Sequence, residues 1–476
     1  MPSRHVVLPE GVPAPLAEGF ARAQREAQVP DDFPADVLAA AEQAVAAPRL
    51  PETDRTDLEL VTIDPPGAKD LDQAVFIRRL DSGFEVFYAI ADVAAFVTPG
   101  DPIDLEAHRR GQTFYAPGRR TPLHPPLISE NHASLLPGQV RPALLWHLVL
   151  DADGVCEEPK VSRALVRSRE QLTYQQVQDM IDDASAPESL MLLRTVGLLR
   201  EKLEQMRGGV SLNIPEQEVE AVDGTWQLTY RSALPVEGWN AQISLMTGIA
   251  AAELMLYAQT GVLRTLPPAD GSSLRRLHTI ARALEIPWPA EMEYPEFVRS
   301  LDPTDPKHAA MQFACTTLFR GAGYVAFTGS IPEQVEHAAL ATEYAHTTAP
   351  LRRLVDRYVL EICAAICADQ PIPQWVEQAL EQLPEEMAES TRRASKYERM
   401  IVDLCETLVL SPRLGETFTA TVVEADTERK RGRIMIADLA VEAMVRGDRL
   451  PLGEMIRVRL TGVDLLTGES TFEIVG

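Results

Sequence analysis

The spacing of apolar residues changes twice along this chain, and those two changes constrain the fold more than any other feature. From Leu58 the pattern is that of strands, over Leu58–Ile63, Asp72–Ile77, Phe84–Ile90 and Ala143–Leu150. After about residue 169 it turns helical. Glu188–Met206 carries Leu190, Met191, Leu193, Val196, Leu199 and Leu203 near helical spacing and stops at Gly208-Gly209. Further helices are expected over Asn240–Thr260, Leu274–Leu284, Pro306–Phe319, Thr348–Ala368 and Pro373–Leu410. From Gly415 strands return, over Thr417–Val423, Arg433–Ala437, Met455–Leu460 and Thr471–Val475.

A chain of 476 residues is too long for one hydrophobic core, so these changes are read as domain boundaries. The expected fold is α+β and multidomain. Residues 1–50 form a helical region, with helices over Ala14–Ala27 and Pro34–Ala47 parted by Val29-Pro30-Asp31-Asp32-Phe33. It is either a helix-turn-helix unit or a collar packed on the next domain. Residues 51–412 form a mixed domain, strands first with helices wrapped around them. Residues 413–476 form a small β-barrel of the OB type, a fold used to bind single-stranded nucleic acid.

Hydrophobic residues at 45% and charged residues at 24% suit a globular chain with a sizeable core. The first twenty residues lack the apolar stretch of a secretory signal, and no run of about 18 apolar residues occurs. A cytoplasmic monomer with no membrane partner is expected. The five cysteines, Cys156, Cys315, Cys363, Cys367 and Cys405, form no CxxC pair, and the nine histidines form no HxH or HExxH arrangement, which argues against a zinc site. His346 reads as a hydrogen-bonded core histidine. A net charge of −25 opposes a polyanionic partner unless positive charge is confined to a channel.

The chemistry is expected in Thr62-Ile63-Asp64-Pro65-Pro66-Gly67-Ala68-Lys69-Asp70-Leu71-Asp72-Gln73. In extended chain Asp70 and Asp72 face one side, and the Pro-Pro-Gly turn can fold Asp64 back beside them. Three carboxylates this close suit a hard cation such as Mg²⁺. Such a cation neutralises a phosphodiester, activates water and stabilises a leaving oxygen. The same residues also read as a solvated acidic turn.

The segment TIDPPGAKDLDQA, followed by YAIADVAAFVTPGDPIDLEAHRRGQTFYAPGR, SLLPGQVRPAL and ATEYAHTTAPLRRLVDRYV, resembles the catalytic domain of the ribonuclease II and ribonuclease R family over roughly residues 52–412. The resemblance implies an RNB-type catalytic domain that threads single-stranded RNA through a channel. It implies hydrolytic, processive 3′→5′ degradation to nucleoside 5′-monophosphates with Mg²⁺, or Mn²⁺ in its place. Asp64, Asp70 and Asp72 match three of the family's four motif aspartates, with Gln73 at the fourth position as a neutral ligand. Asp92 is either a further acid or a structural strand-end residue. Arg352 is assigned to the scissile phosphate, Arg353 to RNA or to a partner such as Asp356 or Glu361, and Tyr115 to stacking on a base near the 3′ end.

Ala241-Gln242 stands before the long central helix where relatives often carry Glu-Glu, and Thr391 where an acid is common, which puts contacts to the terminal ribose in doubt. With about 50 residues ahead of the motif, RNA capture is expected to rest on the helical segment and the barrel, including the basic run Glu428–Arg433. The alternative to a nuclease is an RNA-binding regulator that kept the fold and lost the chemistry.

Overall fold

Gln73–Leu80, Gly83–Ala91, Val140–Asp151 and Cys156–Arg167 pair antiparallel in that order to make the sheet on which the site is built. These strands come from a computed structural model that describes residues 6–7, 14–212, 216–222, 225–302, 304–426, 428, 430–436, 439, 441–447 and 450–475. Every residue of Gly83–Ala91 is buried. Alternate side chains serve different cores: Val86, Tyr88 and Ile90 join Trp146 and Leu148 on one face, while Phe87, Ala89 and Ala91 join Ala143 and Leu145 on the other. The bulky face is covered by the helices Glu188–Met206, Pro235–Tyr257 and Leu354–Cys367. The alanine-rich face sits under Ala35–Ala46 and the chain from Val93 to Leu136.

Both N-terminal helices are present, Ala14–Glu26 and Ala35–Ala46, and they serve different cores. Leu16, Phe20 and Ala23 pack on Tyr397, Ile401 and Leu404, whereas Val37 and Ala41 join the sheet's alanine-rich face. That is the collar arrangement rather than a paired helix-turn-helix.

The tail is a closed barrel of Thr417–Asp426, Arg431–Ile436, Val441–Arg446, Met455–Asp464 and Glu469–Val475, in the order first, second, third, fifth, fourth. Val423 and Met435 leave the barrel interior and join Leu277, Ile280 and Ala314 of the helices beside it, which fixes barrel to catalytic region. The expected strand end at Ala437 and Arg429 of the basic run lie outside the described residues.

Four expectations need correction. The helix expected from Thr348 starts at Leu354, because Pro350 disfavours helical geometry at Ala349 and Arg353 is extended at φ −136°, ψ 129°. Pro373–Leu410 is two helices, Gln374–Leu380 and Leu383–Leu410, the second opening with a proline in its first turn. Leu58–Ile63 forms only the strand Thr62–Asp64, paired in parallel with Gln171–Thr173. The central helix starts at Pro235, so Ala241 and Gln242 lie inside it, and Gln242 is buried, donating to Glu204 at 2.5 Å. Among the described residues no helix is long and apolar enough to cross a membrane.

Candidate active site

Asp72, immediately before the strand Gln73–Leu80, is only 1% exposed. A buried carboxylate needs a counter-charge and donors. Its Oδ1 accepts the Leu351 backbone N–H at 2.8 Å, and its Oδ2 accepts Nε–H of Arg352 at 2.6 Å. Both donors belong to segment 347–353, which turns at 350–352 before the helix Leu354–Cys367. Burial pushes the Asp72 carboxyl up to about 7 against the pull of Arg352 and the Leu351 N–H, with Asp70 adding repulsion.

Asp64 ends the short strand Thr62–Asp64. Burial lifts its carboxyl to about 6; Arg352 holds it down and Asp70 pushes it further up. Its Oδ2 is buried with no hydrogen-bond partner. Asp70 pairs with Arg120, whose other amino group reaches Glu130 at 2.7 Å. Gln73 donates from Nε2 to the Thr348 carbonyl. Asp70 and Arg352 thus both act electrostatically on Asp64 and on Asp72, while the Gln73 amide is engaged on the Thr348 carbonyl.

The remaining expected residues divide. Asp92 pairs with Arg163 at 2.8 Å in a buried structural ion pair, and Arg163 also binds Glu361. Arg353 grips Asp356 with two hydrogen bonds of 2.9 and 2.8 Å, so its fork is already committed. It still lines the central cavity. Tyr115 lies on the hairpin Phe114–Ala116/Arg119–Thr121 and is 43% exposed. His346 takes a 2.7 Å hydrogen bond with the Tyr324 hydroxyl. The pairing of Arg353 with Asp356 was one of the two expected from the sequence; sequence reasoning missed Arg120 and Glu130, and Arg120 falls one residue beyond the motif block that ends at Arg119, the one signal that could have found it.

Tyr115, Arg352, Arg353 and Thr391 open on a cavity of about 1140 Å³ that runs from the sheet's end to the barrel. Its wall carries seven arginines, Arg264, Arg276, Arg320, Arg352, Arg353, Arg399 and Arg433, against four carboxylates, Glu398, Asp403, Glu406 and Glu442. Arg433, from the basic run, is paired with Glu442 at 2.9 Å. A chain with a net charge of −25 thus gathers more arginines than carboxylates on this wall, three of the arginines, Arg352, Arg353 and Arg433, being paired with Asp72, Asp356 and Glu442.

The all-oxygen donor set of Asp64, Asp70, Asp72 and Gln73 has the chemistry of a hard divalent cation site, and the orphaned Asp64 Oδ2 is an oxygen such a cation would satisfy. Asp70 and Asp72 are committed to arginines, and among the described residues no three His, Cys, Asp or Glu side chains stand together closely enough to hold a metal ion. Asp64 fits a cation as it stands; Asp70 and Asp72 fit one after exchanging their arginine partners.

Comparison with known proteins follows the same division of the chain. Residues 52–369 match the RNB domain, and residues 416–475 match the RNase II-type exonuclease C-terminal S1 domain. A probable exosome complex exonuclease RRP44 of Caenorhabditis elegans is 30% identical over 334 residues, 66% of this chain and 34% of the worm protein. Exoribonuclease 2 of Aeromonas hydrophila is 41% identical over 131 residues, 27% of this chain and 20% of that protein. Ribonuclease R of Aquifex aeolicus is 26% identical over 500 residues, 95% of this chain and 69% of that protein. The chain therefore spans about a third or less of the length of the first two relatives.

Among solved structures, Mycoplasma genitalium RNase R in complex with ribose methylated single-stranded RNA superposes with a TM-score of 0.82 at 18% identity, covering 99% of this chain and 85% of that one. Yeast Ssd1, a pseudonuclease, superposes at 0.66 and 16% identity, covering 92% and 56%. These likenesses establish the shared fold. With an RNB-domain match over residues 52–369 and an S1 barrel behind it, the chain belongs to the RNB-domain family.

Proposed function

We propose that the protein is a hydrolytic 3′→5′ exoribonuclease acting on single-stranded RNA, processively and to nucleoside 5′-monophosphates, as a cytoplasmic monomer. The observation that carries this reading is the arginine-lined cavity ending at the Asp72–Arg352 pair. The names of the relatives, exoribonuclease 2 and ribonuclease R, support it.

Arg352 uses Nε on Asp72, and its terminal amino groups make no hydrogen bond to the described residues. They supply a planar fork for the scissile phosphate, where charge develops in the transition state. Asp72 orients that guanidinium when no cation is bound. Tyr115 stacks on a base near the 3′ end, a contact any base can make, as a processive degrader requires. The wall arginines bind successive phosphates without reading sequence. Asp64, Asp70, Asp72 and Gln73 would hold a divalent cation, Mg²⁺ or Mn²⁺, which supplies activation of water and neutralisation of the phosphodiester.

The test is degradation of 5′-labelled poly(A) by the purified protein with Mg²⁺, with Mg²⁺ plus EDTA, and by Asp72→Asn. A ladder from wild type that EDTA and Asp72→Asn abolish is the expected result; equal degradation by all three would refute the assignment. The second reading, an RNA-binding protein without hydrolysis, is favoured by Gln73, which removes one anionic donor. Tight binding of poly(A) with no metal-dependent product would establish it.

A further inference from the structure

We propose that Gln73 is a positioning residue that holds the arginine-bearing segment 347–353 in place through its amide N–H, a task an aspartate at this position could not perform. The inference rests on the exoribonuclease reading for its catalytic consequence and on the geometry alone for its structural one.

Segment 347–353 delivers the Leu351 N–H and the Arg352 guanidinium to Asp72. Its C-terminal half is held by backbone hydrogen bonds, a turn closed by the Arg352 and Arg353 N–H groups on the Ala349 carbonyl and a bridge to Gly111–Thr113, and side chains add the remaining holds. Asp356, fully buried, takes the Ala349 N–H at 2.7 Å and both hydrogen bonds from Arg353. Asp72 takes Leu351. Gln73 donates to the Thr348 carbonyl, the hold nearest the segment's start. A carbonyl can only accept, so the amide nitrogen of Gln73 must face it.

Asp72 precedes the strand and Gln73 opens it. The two side chains grip the segment at two places, Gln73 at the Thr348 carbonyl and Asp72 at Leu351 and Arg352. A carboxylate at position 73 would set two acceptors against each other beside Thr348, which is only 4% exposed. Loss of the fourth acid and gain of this hold come from the same side chain.

Amide hydrogen exchange, read on peptides spanning residues 346–354 without added cation, tests the hold directly. Gln73→Glu keeps the side chain's size and removes the donor; Gln73→Ala removes the whole group. Both should speed exchange at Ala349, Leu351 and Arg353 by roughly three- to tenfold, the worth of one hydrogen bond, while peptides from the strand Gly83–Ala91 stay unchanged. Unchanged exchange at 346–354 in both variants overturns the proposal, whether or not the protein degrades RNA.

On poly(A), Gln73→Glu should lower kcat with KM held. The loss should vanish in an Arg352→Ala background, because Gln73 acts through that arginine. A Gln73→Asp or Gln73→Glu variant with higher turnover and unchanged exchange overturns it too. Absence of turnover in wild type itself would count against the exoribonuclease reading and leave the exchange result standing.

Discussion

Asp64 is a carboxylate whose ionisation the fold opposes, so replacing it should stabilise the protein while abolishing its chemistry. Burial lifts its carboxyl from 3.8 to about 6, and its Oδ2 has no partner. For a group whose folded value lies above its unfolded value, the stabilisation is present below the unfolded value and is lost as pH rises through the folded one. Ionised Asp64 therefore costs almost nothing near pH 4, and the cost is complete somewhat above pH 6. At about 1.36 kcal/mol per unit the full penalty is about 3 kcal/mol, and at pH 4.5 it has shrunk to about 1 kcal/mol.

Asp64→Asn keeps the shape and removes the ionisation. Its melting temperature should exceed that of wild type by roughly 3 °C at pH 8, with the gap falling by about two-thirds at pH 4.5. Thermal melts in EDTA across pH 4.5 to 8 measure it. Mg²⁺ added at pH 8 should raise wild type and leave the variant where it is, since ligand binding to the folded state alone stabilises it. A variant no more stable than wild type at pH 8, or a gap of equal size at both pH values, would refute the idea that Asp64 is an uncompensated buried anion.

Three further outcomes follow from the same geometry. Tyr115→Ala removes an aromatic platform and should weaken binding of short oligo(A) to a catalytically dead Asp72→Asn background by about 1 to 3 kcal/mol, measured by fluorescence anisotropy. Arg320 and Arg399 are exposed in the cavity wall; each replaced by alanine should reduce the slope of log affinity against log salt by about 0.7. Gly248 of the central helix lets Tyr344 and Ala345 abut it, with a built Cβ meeting the Tyr344 ring at 2.2 Å and the Ala345 carbonyl at 2.5 Å. Gly248→Ala should destabilise by about 1 to 3 kcal/mol in denaturant melts, despite alanine's better helix propensity.

What the sequence revealed depended on how far apart the cooperating residues lie. Asp64, Asp70 and Asp72 are visible as a cluster because they fall within one turn and two strand ends. The partners that decide their chemistry do not: Leu351 reaches Asp72 across 279 positions, and Arg120 reaches Asp70 across 50. The wall arginines are spread from Arg264 to Arg433, and of them only Arg433 belongs to a basic run. Only folding gathers them. The strands of the barrel and the helix Glu188–Met206 were legible because their periodicity is local. The start of the helix at Leu354 was missed because Pro350, a turn closed on the Ala349 carbonyl and external hydrogen bonds hold Thr348–Arg353 out of the helix. Arg353 therefore stands at the helix entrance rather than within the helix, and of the partners expected for it the structure gives Asp356.

The acidic surface and the positive cavity work together once the ligand is an RNA strand. Screening limits exposed charges to about 8 Å at physiological ionic strength, so RNA near the outer surface meets the net charge of −25, while RNA inside the cavity meets seven arginines against four carboxylates. Inside, low polarity strengthens each contact that solvent would weaken. Surface binding is thereby disfavoured and threading favoured, which suits an enzyme that consumes an end rather than an internal site. The same field acts on the centre itself. Arg352 is the guanidinium that carries positive charge to Asp64 and Asp72 together, and a phosphate arriving there must compete with two buried carboxylates for it. If the proposed exoribonuclease reading holds, the grip of Asp356, Asp72 and Gln73 on the segment bearing Arg352 would keep that arginine from following the phosphate as the strand moved.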